Sequence, residues 1–373
     1  MTERPPTPHD PWLSLHDPGL KDAVDAGDWP RVRASLETFD EARLDTAIGC
    51  IQDVECEEWL EKVLADDPTD HVAKTLLGAR YVTIGWTVRT GHRAADVSAE
   101  QFRQFHEWLT RAEELLTEVC AQRPDYVQAW TMRQPVAMGL SLGLEEARRR
   151  YDKVAALSPH HASAQSNYLQ QIVPKWGGSW ESAEAFATEC RDAAPMGSPS
   201  RALELDVMIE RWLDDSSYKA KIDLDRLRQI AEETVDHPDH RPGIWGAAVH
   251  SQLALLYCLA GKAPLAKPHF LALDGFPSRT GWRYLADDSY ASFYRFAMGG
   301  DSPERVLAIG RLVFLIPGLL LLAVLGLGAV AMAILYGADG TLAEVGGALV
   351  VALVCGLLGW RTGRSVRNAW REL

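Results

Sequence analysis

Residues 112–124, AEELLTEVCAQRP, carry the pattern on which the fold turns. A small residue, Ala112, is followed four positions on by Leu116, three further by Val119, and five beyond that by Pro124. Positions i, i+4 and i+7 share one face of an α-helix. A small first position lets a second helix cross closely. Proline has no N–H to donate and marks the helix end. The same spacing recurs at Cys56, Leu60, Val63 and Pro68, at Ala147, Tyr151, Val154 and Pro159, and at Ala183, Ala187, Cys190 and Pro195. The last three copies are spaced by 35 and 36 residues. A fixed period of this length is the signature of stacked helix pairs. No segment keeps a period of two, so little or no β-structure is expected.

The other helix of each pair leaves traces of tetratricopeptide (TPR) spacing. Leu77, Gly78 and Tyr81 stand where the first helix of a TPR unit would place them. Leu253, Ala254, Tyr257, Gly261, Ala266, Phe270 and Leu273 fall on the signature positions of one further unit, with Gly261 in its turn. About twenty extra residues between Tyr81 and Ala112 read as a lengthened helix, a loop and a new helix start. The unit near 226–238 is degenerate. Residues 20–26, the turn 27–30 and residues 32–36 read as a divergent capping pair, since a terminal repeat has one face in water.

Three segments resemble a bacterial TPR-like family classed as a domain of unknown function. They are residues 86–109 (WTVRTGHRAADVSAEQFRQFHEWL), 145–151 (EEARRRY) and 174–179 (PKWGGS). The resemblance covers roughly residues 20–275 and implies a helical fold, with no catalytic residue or ligand attached to it.

The carboxyl end reads differently. Residues 312–336 carry no charge and include fifteen Leu, Ile, Val or Phe. A bilayer core needs about 20 apolar residues, and these favour insertion by about −5 to −9 kcal/mol. Residues 342–360 hold nine such residues, worth about −3 to −5 kcal/mol, with Gly346, Gly347, Gly356 and Gly359 allowing close helix approach. Asp339-Gly340 makes the turn between the two stretches. The expected fold is therefore all-α: a TPR-like α-solenoid of antiparallel helix pairs, then a two-helix transmembrane hairpin. The boundaries are a disordered polar start at 1–10 without the apolar core of a secretory signal, a repeat domain at 11–298, a short linker at 299–305, and the hairpin with its basic tail at 306–373. Trp282, Tyr284, Tyr290, Phe293, Tyr294 and Phe296 read as an aromatic cap on the array.

Charge orients the hairpin. Arg305 and Arg311 precede the first stretch, and Arg361, Arg364, Arg367 and Arg371 follow the second, whereas the turn has only acids. Basic flanks stay cytosolic, so both termini are expected in the cytoplasm of a multi-pass cell-membrane protein. The net charge is −13, and the part before Arg305 holds 32 basic and 48 acidic residues, a balance of −16. Such a surface repels phosphates, which disfavours nucleic-acid binding. None of the six cysteines forms C-x-x-C. Cys56, Cys120, Cys190 and Cys258 sit in apolar helical patterns, as buried reduced thiols do.

No catalytic signature stands out. Gly261-Lys262 lacks the rest of a P-loop, His106-Glu107 lacks the second His of a zinc-protease helix, and there is no G-x-S-x-G. His237 and His240 flank Pro238 in a loop without a third ligand. His160 and His161 follow a repeat-ending proline and are expected on a surface turn. Trp176 and Trp180, beside Gly177-Gly178, are expected to fill a crowded turn. Neither enzyme activity nor a cofactor nor a metal is indicated. Binding is the better expectation, because the first helices of TPR-type units line a groove for a peptide or partner helix. Its candidate residues are Trp130, Met132, Arg133 and Val136 in one unit and Asn167, Gln171 and Lys175 in the next. The expected function is a membrane-anchored scaffold for an unidentified protein or peptide partner. The alternatives are a homo-oligomeric membrane component, or an enzyme or small-molecule binder using a pocket between units.

Overall fold

Acidic and hydroxyl side chains set where the helices of this computed structural model begin. It describes residues 11–300 apart from 93, 274–280, 283–284 and 286–288, together with residue 327. Asp17 caps α1 (Pro18–Asp25), Asp28 caps α2 (Trp29–Leu36) and Asp40 caps α3 (Glu41–Ile51). α4 (Glu57–Asp66) follows, and Asp70 caps α5 (His71–Arg89). Ser98 and Gln101 form a reciprocal capping box at α6 (Ala99–Gln122). Each such side chain accepts a backbone N–H that the first helical turn leaves without a partner. Then come α7 (Val127–Gly139), α8 (Leu144–Leu157), α9 (Ala162–Ile172), α10 (Trp180–Ala193), α11 (Glu204–Asp214), α12 (Leu224–Glu233), α13 (Ile244–Leu259), α14 (Ala263–Ala272) and α15 (Ser289–Ala297). The rest is short 3-10 turns and loops, with no strand among the described residues.

The recurring motif lands on α4, α6, α8 and α10. Its prolines Pro68, Pro124, Pro159 and Pro195 each stand two residues past the helix end. Its small residues Cys56, Ala112, Ala147 and Ala183 are all buried. The extra residues between Tyr81 and Ala112 lengthen both helices of one pair, α5 and α6. That pair is zipped by rings, Tyr81 against Trp108 at 5.2 Å and Trp86 against Phe105 at 4.9 Å. Gly78 is needed there, because a Cβ at that position would lie 2.9 Å from Leu116.

Consecutive helices pack as pairs: α5 with α6, α7 with α8, α9 with α10, α13 with α14. The first members of the pairs also touch in series, α3 to α5, α5 to α7, α7 to α9, α9 to α11 and α11 to α13. α13 then meets α3 again. The inner helices α5, α7 and α13 are buried around most of their circumference, whereas α6, α8 and α12 bury one stripe and expose the other.

The chain divides into two units, Met1–Ala291 and Ser292–Leu373. In the first, the Trp282 and Tyr290 rings meet edge to face at 5.1 Å and both meet Phe270 of α14. In the second, Gly300 N–H bonds to Arg295 C=O at the end of α15. Tyr284 lies outside the described residues. Among the described residues no helix is long and apolar enough to cross a membrane. The stretches 312–336 and 342–360, on which the expected hairpin rests, lie outside them, as do the polar start 1–10 and the linker residues 301–305.

Candidate functional site

A cavity of about 820 Å³ opens between the inner helices of the first unit. Helical spacing explains its wall. α3 offers Asp45, Ile48, Gly49 and Gln52, and α13 offers Trp245, Ala248, Val249 and Gln252. Both sets follow i, i+3, i+4, i+7 and so form one stripe of each helix. α7 contributes Gln128, Thr131, Met132 and Pro135, while α5 contributes Val82, Thr83, Trp86 and Thr87. From α9 come Ser163, Ser166, Asn167 and Gln170 among others, and α11 adds Asp206. The wall is thus rich in side-chain amides and hydroxyls, with two indoles. Its charged residues are Asp45 and Asp206, with no Lys, Arg or His.

The two carboxylates differ. Asp206 is tied into the scaffold: it accepts from Ser166 Oγ at 3.0 Å and Gln252 Nε2 at 2.6 Å, which joins α9, α11 and α13. Next to it, Glu210 accepts from Gln170 and, at 2.7 Å, from Lys175 Nζ. The Asp45 side chain is only 8% exposed, and its Oδ2 lies 3.3 Å from His161 Nε2. Burial pushes the Asp45 carboxyl up to about 6, against the opposing pull of His161 and the hydrogen-bonding groups Ser163 and Gln128. Apart from that approach of His161, Asp45 Oδ2 has no hydrogen-bond partner in the protein, and neither do the Oε1 atoms of Gln52 and Gln165, all buried on this wall.

His161 is a correction to the surface turn expected for it. It is 2% exposed and caps α9, taking the Ala164 N–H on Nδ1 at 3.3 Å. That bond leaves the neutral ring's proton on Nε2, facing Asp45. A proline two residues before a histidine indicates a helix end, and the side chain turns inward here because α3 supplies a carboxylate.

The structure brings Met132 and Asn167 together on the cavity wall. The other expected groove residues stand elsewhere. Trp130 is in the core and donates from Nε1 to Pro124 C=O at 3.1 Å. Arg133 is buried against Glu113 at 2.5 Å, and Val136 and Gln171 are buried. Lys175 pairs with Glu210. On α7 the lining stripe is 128, 131, 132 and 135, one helical position away from 133 and 136. Asp45, Gln52, Trp245 and Gln252 were not indicated by repeat spacing. Their only trace in sequence is a polar residue recurring at helical spacing on otherwise apolar helices. Trp176 packs on Trp86 at 5.6 Å, filling a turn in which Gly178 has no room for a Cβ, 1.9 Å from Ile172 C=O.

The wall presents many neutral donors and acceptors on a concave surface. The chain matches no protein-family model, no curated protein and no solved structure.

Proposed function

We propose that this chain is a membrane-anchored, TPR-like scaffold. Its inner helices hold a short extended segment of a partner protein at the cytosolic face of the membrane. The observation that carries this reading is the cavity wall itself. Gln52, Gln128, Asn167, Gln170 and Gln252, contributed by four helices, line one concavity. A carboxamide donates and accepts at once, so it matches the N–H and C=O groups of an extended backbone. Trp86, Met132, Pro135 and Trp245 offer apolar surface between them for side chains. Its volume lies in the range of about 300–1,000 Å³ typical of binding clefts.

Helix pairs whose first members touch in series support the TPR-like solenoid reading. The uncharged residues 312–336, the weaker apolar stretch 342–360 and their arginine flanks support the anchor and its orientation. Anchoring would confine the cavity to a thin layer beside the bilayer and raise the effective concentration of partners there.

The test is site-specific photocrosslinking in the full-length protein at native expression. A benzophenone amino acid replaces Thr87, which is exposed and lines the cavity, or Lys153, exposed on α8 outside it. A discrete peptide adduct from Thr87 but not Lys153, in the membrane fraction, is expected. Equal labelling from both positions, or none from Thr87, Thr83 and Ser166 in turn, would overturn the reading. Alkaline carbonate extraction tests the anchor separately: release of intact chain into the supernatant would refute it.

A further inference from the structure

We propose that the cavity selects a positively charged nitrogen group, an alkylammonium or a guanidinium. It would come from a lysine or arginine of the partner segment or from a free polyamine. This rests on the cavity being the binding site and names the chemistry it recognises.

The wall has carboxylates at Asp45 and Asp206 and no basic side chain. Arginines adjacent in sequence to lining residues are not among the lining residues and have partners of their own. Arg89 donates to the Thr90 and His92 carbonyls at 2.9 and 3.0 Å. Arg133 is held by Glu113. Arg201 donates to the Arg191 and Ala194 carbonyls and to Glu233. Among the described residues, then, no Lys, Arg or His side chain lines the cavity. In a concavity walled by protein such an imbalance is screened less than on an open surface.

Asp45 is where the imbalance is sharpest. Asp206 is satisfied by Ser166 and Gln252, but Asp45 has only a histidine as its basic neighbour, and its carboxyl is raised because burial outweighs that contact. A cation arriving at the wall would stabilise the ionised form and recover that cost. The buried Oε1 atoms of Gln52 and Gln165 on this wall are acceptors without a partner in the protein, and Asp45 Oδ2 has only the 3.3 Å approach of His161 Nε2. The deficit is therefore in donors, and ammonium and guanidinium groups carry three and five donors and no acceptor. Trp245 adds an aromatic ring of the kind that attracts such cations, whereas the Trp86 ring already has the Arg89 guanidinium 5.7 Å from its centroid. Among the described residues no three His, Cys, Asp or Glu side chains are grouped as metal ligands would be, so an organic cation fits better than a metal ion.

Isothermal titration of the full-length protein in detergent tests this. The probes are two blocked tetrapeptides, Gly-Arg-Gly-Gly and its citrulline counterpart, together with agmatine and spermidine. The arginine peptide should bind at least about tenfold more tightly than the citrulline peptide, which has the same shape without the charge. Asp45→Asn should remove most of that ratio. Thr87→Lys, which places a cation in the cavity without touching Asp45, should weaken every charged probe. Gly49→Leu, filling the space beside Asp45, should abolish binding of all four. Agmatine or spermidine binding more tightly than the arginine peptide would identify a free amine as the source; the reverse order would identify a side chain. Equal binding of the two peptides, no binding by any charged probe, an unchanged ratio in Asp45→Asn, or binding that survives Gly49→Leu would each overturn the proposal. Photocrosslinking from Thr87 decides independently whether a protein segment occupies the cavity, so charge selection can fail while that reading stands.

Discussion

Asp45 Oδ2 lies 3.3 Å from His161 Nε2, and this contact ties α3 to the start of α9 along one edge of the cavity. A second tie runs beside it, from Ser158 Oγ to Glu41 Oε1 at 3.0 Å. Together with the packing of α3 on α13, these contacts bring the early part of the array against its later part. The edge is held by a carboxylate whose burial cost is only partly offset, and that has a consequence for stability.

Asp45 should make the protein less stable at neutral pH than in mild acid. Its folded carboxyl is raised to about 6, with burial as the largest cause; His161, Ser163 and Gln128 act to lower it and Glu41 to raise it. A raised value means that the folded state binds the proton more tightly than the unfolded chain. This group's contribution to stability therefore falls as pH rises from about 4 to about 6 and is flat above. Asp45→Asn should raise the melting temperature near neutral pH, with a ceiling of about 3 kcal/mol reduced by the lost His161 contact, and should change little near pH 4. Thermal melts of both proteins across this range provide the check. A variant less stable than wild type at neutral pH would contradict it.

Two glycines on inner helices should respond oppositely to alanine. A Cβ on Gly139 would lie 2.2 Å from Leu109 Cδ1 and 2.7 Å from Phe105 Cζ, both in the buried α6–α7 contact. Gly139→Ala should cost about 1–3 kcal/mol through overpacking. Gly49 has nothing within 4 Å of its would-be Cβ, because it faces the cavity. Gly49→Ala should gain about 0.5–1 kcal/mol from helix propensity. Denaturant titration of the two variants measures both; equal effects would show that the α6–α7 approach is looser than described.

The helix pairs were legible because the residues that build them repeat. Ala112, Leu116 and Val119 announce a buried stripe, Pro124 its end, and the same logic places α4, α8 and α10. The cavity was legible only in part. Met132 and Asn167 were within reach of repeat spacing, but the choice between the 132 face and the 133 face of α7 depends on a rotation of about 100° per residue. Small shifts in how α7 seats on α6 decide it. Asp45 and Gln252 join the site because α3 meets α13. That depends on how several successive helix pairs pack on one another, which no local pattern encodes. His161 turned inward for the same reason: its partner is far away in sequence and comes from another pair.

Arg150 should be the most costly surface-type residue to remove. It is 1% exposed and donates to both oxygens of Glu113 at 2.9 and 2.8 Å, to Glu146 at 2.7 Å and to the Arg133 carbonyl at 2.5 Å. Arg149 and Arg150 hold the Glu146 carboxyl down at about 2. Arg150→Met should destabilise by about 3–5 kcal/mol, since it leaves carboxylates short of a partner in a partly buried place. Glu113→Gln combined with Arg150→Met should cost less than the two separately. Strict additivity in denaturant titration would show that the network is not coupled.

Thiol labelling should read the packing of the inner layer position by position. Cys50, Cys56, Cys120, Cys190 and Cys258 are buried reduced thiols. Burial is the leading cause that pushes the thiols of Cys56, Cys190 and Cys258 up to about 12 and raises that of Cys120. Thiolate is the reactive form, so at mildly alkaline pH these groups should react only when the surrounding helices open. In a stacked array, openings start at free ends. Cys258 lies on α13, which touches α11 on one side and α3 on the other. It should therefore label as slowly as Cys190 in the middle, not at the rate of a frayed end. Breaking the α3 edge with Asp45→Ala and His161→Ala together should speed Cys258 selectively. Peptide mass mapping after timed maleimide exposure gives the rates. If Cys258 in the wild-type protein labels well ahead of Cys190, α13 is an open end and its contact with α3 does not hold it.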